Sequence, residues 1–490
     1  MFNYQGGINI MKKNSVFKEI VIGTMLIFSL PFLGCESTPA PETKKIATEV
    51  SETEKIEKKE IAVEETADVV FVKQLQKELS KGNIDGALKL FDSIPEELAG
   101  DKDMNILHSS LYISAGDLEN ANVIAKKLFN AHPKDMDVLE LNSVIAKAQG
   151  NKAEYKTFSE MILNQDPYNA EINIQTAQEY AMNKKYKQAK QAYQKALVSE
   201  PKNVDALFGY GQMTYFIGDI DEAADTFKNV LELDPKNASS YSYLGKISAE
   251  KDNYLSAIKY VQEAIKIDNE NYNFHMDLGK YYQQVTKPKD AIKEWETARD
   301  LDPTYFLAYA YLAGINDEMG NFAVALENYR KVIETNPNYY YAYESAGIVE
   351  WHEGNWAEAR KDFLKAWEVS GKKDWAYALM IAATYMKEKN NFKAKEWLQP
   401  ILKTMDRESL EYQMVKFYYD NYSKNAAVAL TQKINKEDNS TKRGKLWFYM
   451  GLYNEIYAGP SAAEEMYSKV TAMQAPMFFE FRMAEWGLGL

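Results

Sequence analysis

The sequence predicts an all-α chain, a solenoid of stacked antiparallel helix pairs, and three observations carry that reading. The first is spacing. Prolines at 133, 167, 201, 235, 303 and 337 lie at multiples of 34, as do the glycines that open Gly-Asn or Gly-Asp pairs at 82, 116, 150, 218, 320 and 354. Alanines at 87, 121, 189, 223, 257, 291, 325 and 359 keep the same period, and such self-similarity marks a repeat architecture. The second is composition: Gly (24) and Pro (14) make up about 8% of 490 residues, below the roughly 12% of average usage, which leaves few turns and favours helices over many short strands. The third is the aromatic side chain four residues after many of those alanines, at Phe91, Tyr193, Phe227, Trp295, Tyr329 and Phe363.

Each slot of the repeat has a physical reading. A proline just past an apolar helical run stops the helix and starts the next unit; Asn269 fills the one skipped position. The glycine, halfway through, supplies the left-handed residue that ends the first helix and turns the chain back. Alanine early in the second helix lets two helix axes approach, and the aromatic fills the space beside it. A single pair cannot bury its apolar face, so neighbours must stack. By this register units run from 68 to 101 and onward in steps of 34 to 340 to 373, a tenth has slipped by one residue, and a further copy starts at 444. The domains are then a repeat array over 68–408, about ten copies, and degenerate and terminal repeats with a C-terminal capping helix over 409–490.

The N-terminal part differs. Met11-Lys12-Lys13 and Lys18 precede an uncharged stretch from Ile20 to Leu33. Fourteen helical residues rise about 21 Å, short of the roughly 30 Å apolar layer of a bilayer, so residues 1–34 read as an export signal whose natural start is Met11. Residues 36–67 hold nine carboxylates and five lysines with few large apolar groups, too little to offset chain entropy. Together with Cys35 they read as a flexible acidic stalk, 35–67.

Composition also excludes function classes. A formal charge of −13 lacks the basic stripe that nucleic acid requires. One cysteine rules out an intrachain disulfide framework, and four scattered histidines leave little for metal or triad chemistry. No phosphate loop, Gly-x-Ser-x-Gly or His-Glu-x-x-His occurs, so neither a catalytic function nor a metal or cofactor is expected.

Two resemblances follow from these residues. The order Leu278-Gly279, Tyr282, Ala291, Trp295, Ala298, Pro303, and again Gly211, Gly218, Ala223, Phe227, Pro235, resembles the tetratricopeptide repeat (TPR). Lys184, Thr286 and Tyr155 depart from it, standing where the pattern has Gly or Ala. Phe32-Leu33-Gly34-Cys35 resembles a lipoprotein cleavage site, although Phe32 and Leu33 depart from the stricter pattern. Together they resemble a TPR lipoprotein of a bacterial envelope. The first resemblance implies a right-handed superhelix that acts as a protein-binding scaffold, with the first helices lining a concave groove. The second implies acylation of Cys35, export, and anchoring at the outer membrane, the periplasmic face of the inner membrane or the cell surface.

Mapped onto this chain, the family's groove positions give Phe208, Tyr215, Phe216, Tyr243, Met276, Tyr311, Tyr341 and Trp351, with His352 beside them. Asp205, Glu250, Asp277, Asp317, Glu318 and Glu344 outnumber Lys246 and Lys280 there. Such a groove fits basic or apolar segments of other envelope proteins. Aromatic side chains offer large contact area at low entropy cost, which also suits a small ligand or a glycan as the alternative occupant. The Lys and Asn pattern by which family members clamp a terminal carboxylate is absent, so capture of acidic tails is not expected.

Overall fold

The helix-pair expectation can be followed from one turn to the next in a computed structural model, which describes residues 66–420, 424–473 and 478–490. The export signal, Cys35 and the stalk through residue 65 lie outside the described residues. Among the described residues there are 26 α-helices, two short 3-10 turns and no strand. The chain divides into two compact units, one ending at Thr226 and the other starting at Phe227. The first holds four helix pairs, from Ala67–Ser80 and Ile84–Leu90 to Ala170–Met182 and Tyr186–Ser199, followed by Val204–Ile217. Helix Ile220–Leu233 runs through the boundary. The second unit holds seven pairs, from Ala238–Glu250 and Tyr254–Ile267 to Ser440–Ala458 and Glu464–Thr471, and then a terminal helix, Phe479–Gly487.

The period is written into the helix ends. Second helices stop at Ala131, Gln165, Ser199, Leu233, Ile267, Leu301 and Thr335, each 34 residues from the next. Ile267 stops on schedule although Asn269 replaces proline. A further 34-residue series caps the first helices: Asp101, Asp135, Asn169, Asn203, Asn237 and Asn271 each accept a backbone N–H with their side-chain oxygen. Such a cap satisfies one of the donors a helix start leaves orphaned, worth about 1 kcal/mol. Six caps at one spacing therefore fix where each repeat restarts.

The turn between the two helices needs a left-handed residue, and the chain holds it whatever residue stands there. Gly150 and Gly218 have φ of 70° and 96°, while Lys184, Asp252 and Thr286, at the same slot of their repeats, are held at 56°, 55° and 55°. Lys389, 35 residues beyond Gly354, keeps the turn at 61°, which accounts for the slipped tenth unit. The departures at Lys184 and Thr286 thus cost local strain and leave the pairing intact. Tyr155 stands half-buried in its alanine slot.

Packing follows the small-residue series. All eight periodic alanines are fully buried. The aromatics meet glycines of the first helices: a Cβ on Gly279 would stand 2.3 Å from Trp295 Nε1, and one on Gly347 would stand 3.0 Å from the ring of Phe363. Trp295 is completely enclosed and donates its N–H to the Met276 carbonyl at 3.2 Å. The expected degenerate region is formed as helix pairs too, Leu410–Tyr419 with Lys424–Ile434 and then the 19-residue Ser440–Ala458 with Glu464–Thr471.

The terminal helix makes contacts beyond those expected of it. The terminal helix covers Ser440–Ala458 and Glu464–Thr471, as a cap would, but it also packs against Tyr340–His352, three pairs back. The reason lies in its two faces. Glu480, Met483 and Ala484 are buried, while Phe479, Arg482 and Trp486, spaced i, i+3 and i+7, form a second stripe that engages earlier repeats.

Candidate partner-binding surface

The residues expected to line the groove divide by burial. Phe216 (48% exposed) and Tyr341 (50%) present aromatic surface to solvent. In the first unit Phe216 stacks on Tyr186 at 5.1 Å between centroids and meets Tyr215 edge-on, while Tyr215 and Phe208 are half-buried. In the second unit Tyr243 is half-buried, lying on Phe227 at 4.8 Å under the Lys246 ammonium. Tyr311 lies on Trp295 at 4.9 Å, with Lys280 above its ring. Tyr341 packs on Tyr340 at 4.0 Å.

Met276 and Trp351 do not face the surface. Met276 is 3% exposed because the next first helix, Phe306–Glu318, closes over it with Ala308, Leu312 and Ile315. Trp351 is 9% exposed, edge-on to Trp356 at 4.9 Å, and Lys387 lies over both indoles. Family positions mark the side of a helix; whether a side chain there is open depends on how closely the neighbouring repeat approaches, which spacing does not encode.

The expected acidic character is present and partly engaged within the chain. Asp277 lies between Lys246 at 3.6 Å and Lys280 at 3.1 Å. The Glu344 carboxylate accepts the Tyr377 hydroxyl, and burial raises the pKa of both groups. Asp317, nearly buried, accepts the Tyr329 hydroxyl at 3.0 Å and both arms of Arg482 at 2.6 and 2.7 Å. That guanidinium comes from the terminal helix, 165 residues further along the chain.

Around this ion pair the terminal helix spans the first helices of several repeats. Trp486 packs on His352 at 4.0 Å and edge-on to Phe322 at 5.8 Å, with the Arg482 guanidinium 4.2 Å above its own indole. Phe479 stacks on Tyr377 with planes 2° apart. On the other face Glu480 sits fully buried within 3.1 Å of the Tyr449 hydroxyl and 3.7 Å of Lys445, and its second oxygen has no hydrogen-bond partner among the described residues. Burial pushes the Glu480 carboxyl up to about 7. Beside the helix lies a cavity of about 830 Å³ walled by Tyr340, Tyr341, Glu344, Trp375, Lys445 and Phe479.

The sequence reading placed Asp317 and His352 on this surface but missed their intramolecular partner, the terminal helix. The available signal was the Phe-x-x-Arg-x-x-x-Trp stripe in a segment assigned only to capping. Among the described residues no three His, Cys, Asp or Glu side chains converge as a metal site, and no helix is long and apolar enough to cross a membrane.

Comparison with known proteins places these repeats. Residues 180–247 and 317–375 each match a family model described as tetratricopeptide repeat. No curated protein matches the chain. Among solved structures it is similar to MamA, at 31% identity over 33% of this chain and 95% of that one, TM-score 0.32. It is also similar to YrrB, described as a TPR protein with an unusual peptide-binding site, at 21% identity over 36% of this chain and 92% of that one, TM-score 0.33. For pilF of Pseudomonas aeruginosa the identity is 19%, over 44% of this chain and 96% of that one, TM-score 0.34. With their period, left-handed turns and buried alanine series matched in this way by the family models, these segments are tetratricopeptide repeats.

Proposed function

We propose that this chain is a non-catalytic scaffold that binds protein or peptide segments on the first-helix surface of its repeats and is held to a bacterial envelope by acylation of Cys35. The fold suggests a protein-interaction scaffold. The observation that supports the finer reading is the aromatic, acidic surface itself: it holds a helical segment whose contacts are one arginine and two aromatic rings. Segments of basic and apolar character from other envelope proteins suit it by charge and by stacking.

The test is chemical cross-linking in intact membranes followed by recovery of the full chain. One stoichiometric protein partner is expected, with capture lowered at least fivefold by Phe216→Ala combined with Tyr341→Ala while the melting midpoint stays within about 2 °C, since exposed side chains contribute little to stability. A second reading is favoured by the cavity beside Tyr340, Tyr341 and Trp375, whose aromatic walls suit a small ligand or a sugar ring. Failure to recover any protein, together with a rise in melting midpoint on adding small saccharides, selects that reading instead.

A further inference from the structure

We infer that the surface formed by Phe306–Glu318, Tyr340–His352 and Trp375–Lys387 is a seat for helices bearing an aromatic-x-x-Arg-x-x-x-aromatic stripe, and that the terminal helix is its resident occupant. A partner carrying the same stripe takes the seat by displacing Phe479–Gly487. The inference rests on the scaffold reading and names the partner's chemistry.

Three observations carry it. First, the contacts go beyond capping. A cap covers the last pair, whereas Arg482 forms a bidentate pair with Asp317 on a first helix four pairs back, and Trp486 reaches His352 and Phe322. Arg-carboxylate forks specify geometry as well as charge, so this seat recognises an arginine at one register. Second, the occupant fits imperfectly. Phe479 and Trp486 are only partly buried, and a cavity of about 830 Å³ stays open against the helix. A better-matched segment has room to improve on it. Third, the occupant has nine residues, too few to be stable as an isolated helix in water. Once off its seat it is expected to lose helical structure, so exchange between occupants couples to order in this segment.

The experiment titrates a fluorescent peptide copying residues 478–490 into the full chain, wild type against Arg482→Glu and Trp486→Ala, with hydrogen exchange of residues 479–487 measured in each. The seat model expects fast exchange in a folded variant, together with peptide affinity about tenfold or more above wild type, since each variant removes the resident's grip while the added peptide keeps its own. A peptide with glutamate in place of the arginine should not bind. Equal affinity for wild type and released variants overturns the inference and leaves the scaffold reading standing. So does an absence of peptide binding to a released variant while wild type still captures its envelope partner. If both variants lose cooperative melting, or neither releases the helix, Phe479–Gly487 is a structural part of its unit and the inference fails. Loss of partner capture by Phe216→Ala with Tyr341→Ala, or the lack of any partner, bears on the scaffold reading alone.

Discussion

At the scale of the residue, two kinds of position are under opposite pressures. Gly279 is small because Trp295 occupies the space: a methyl there would press on an indole that is fully enclosed and hydrogen-bonded, and the ring must move. Overpacking of this kind costs about 1–3 kcal/mol, more than the roughly 1 kcal/mol that Ala gains over Gly in a helix. Gly314 has nothing within 4 Å of its would-be Cβ, so there the propensity gain stands alone. Gly279→Ala is expected to lower the thermal midpoint and Gly314→Ala to raise it slightly; equal shifts in one direction would contradict the packing account. Glu480 shows the same logic in charge. Burial raises its carboxyl from 4.5 to about 7, so the folded chain holds a proton between those values that the unfolded chain has lost. Its contribution is fully present below about pH 4.5 and is lost as pH rises through 7. The groups facing it are Lys445, Tyr449 and Asp374; the Tyr449 hydroxyl is a donor shared between Glu480 Oε1 at 3.1 Å and the Ala376 carbonyl at 3.0 Å, so the upward shift comes from burial. Glu480→Gln should therefore raise the unfolding free energy at pH 8 by up to about 3 kcal/mol and change it little at pH 4, flattening the profile.

At the scale of the element, the repeat is a turn with two helices attached. Thr286 is β-branched and sits at φ 55°, a conformation that costs a non-glycine residue on the order of 1 kcal/mol or more. Thr286→Gly should stabilise the chain by roughly that amount, whereas Gly320→Thr, at the same slot one repeat on, should destabilise it; denaturant midpoints of the two variants decide. This turn also shows what was legible from sequence. The period, the turn glycines and the alanine slots repeat because each repeat solves the same packing problem, so their signal adds over many copies. Lys184 and Thr286 could be assigned to the turn because neighbours at 34-residue spacing carry glycine. The docking of Phe479–Gly487 is made once, between residues 165 apart, and leaves no periodic trace. The burial of Met276 and Trp351 was hidden for a related reason. It depends on the distance between adjacent first helices, which is set by side chains on both of them.

At the scale of the whole molecule, the proposed envelope scaffold needs a means of membrane attachment. The chain carries a net charge of −13, so anionic lipid surfaces repel it and electrostatic attachment is unfavourable. No helix among the described residues is long and apolar enough to span a bilayer. In the proposed reading attachment is made by Cys35. One acyl chain gives marginal binding, whereas two or more give stable anchoring, so the scaffold reading requires a multiply acylated residue rather than a single modification. The expected outcome is a mature chain that begins at Cys35 with acyl chains on that residue by mass spectrometry, recovered with membranes in high salt and released only by detergent. Cys35→Ser should move the chain to the soluble fraction without altering its melting curve, because the acidic segment 36–65 separates the anchor from the first helix at Ala67. A wild-type chain that washes off in salt, or a mature terminus cut elsewhere with an unmodified Cys35, would remove the lipid anchor while leaving the repeats and their binding surface as described.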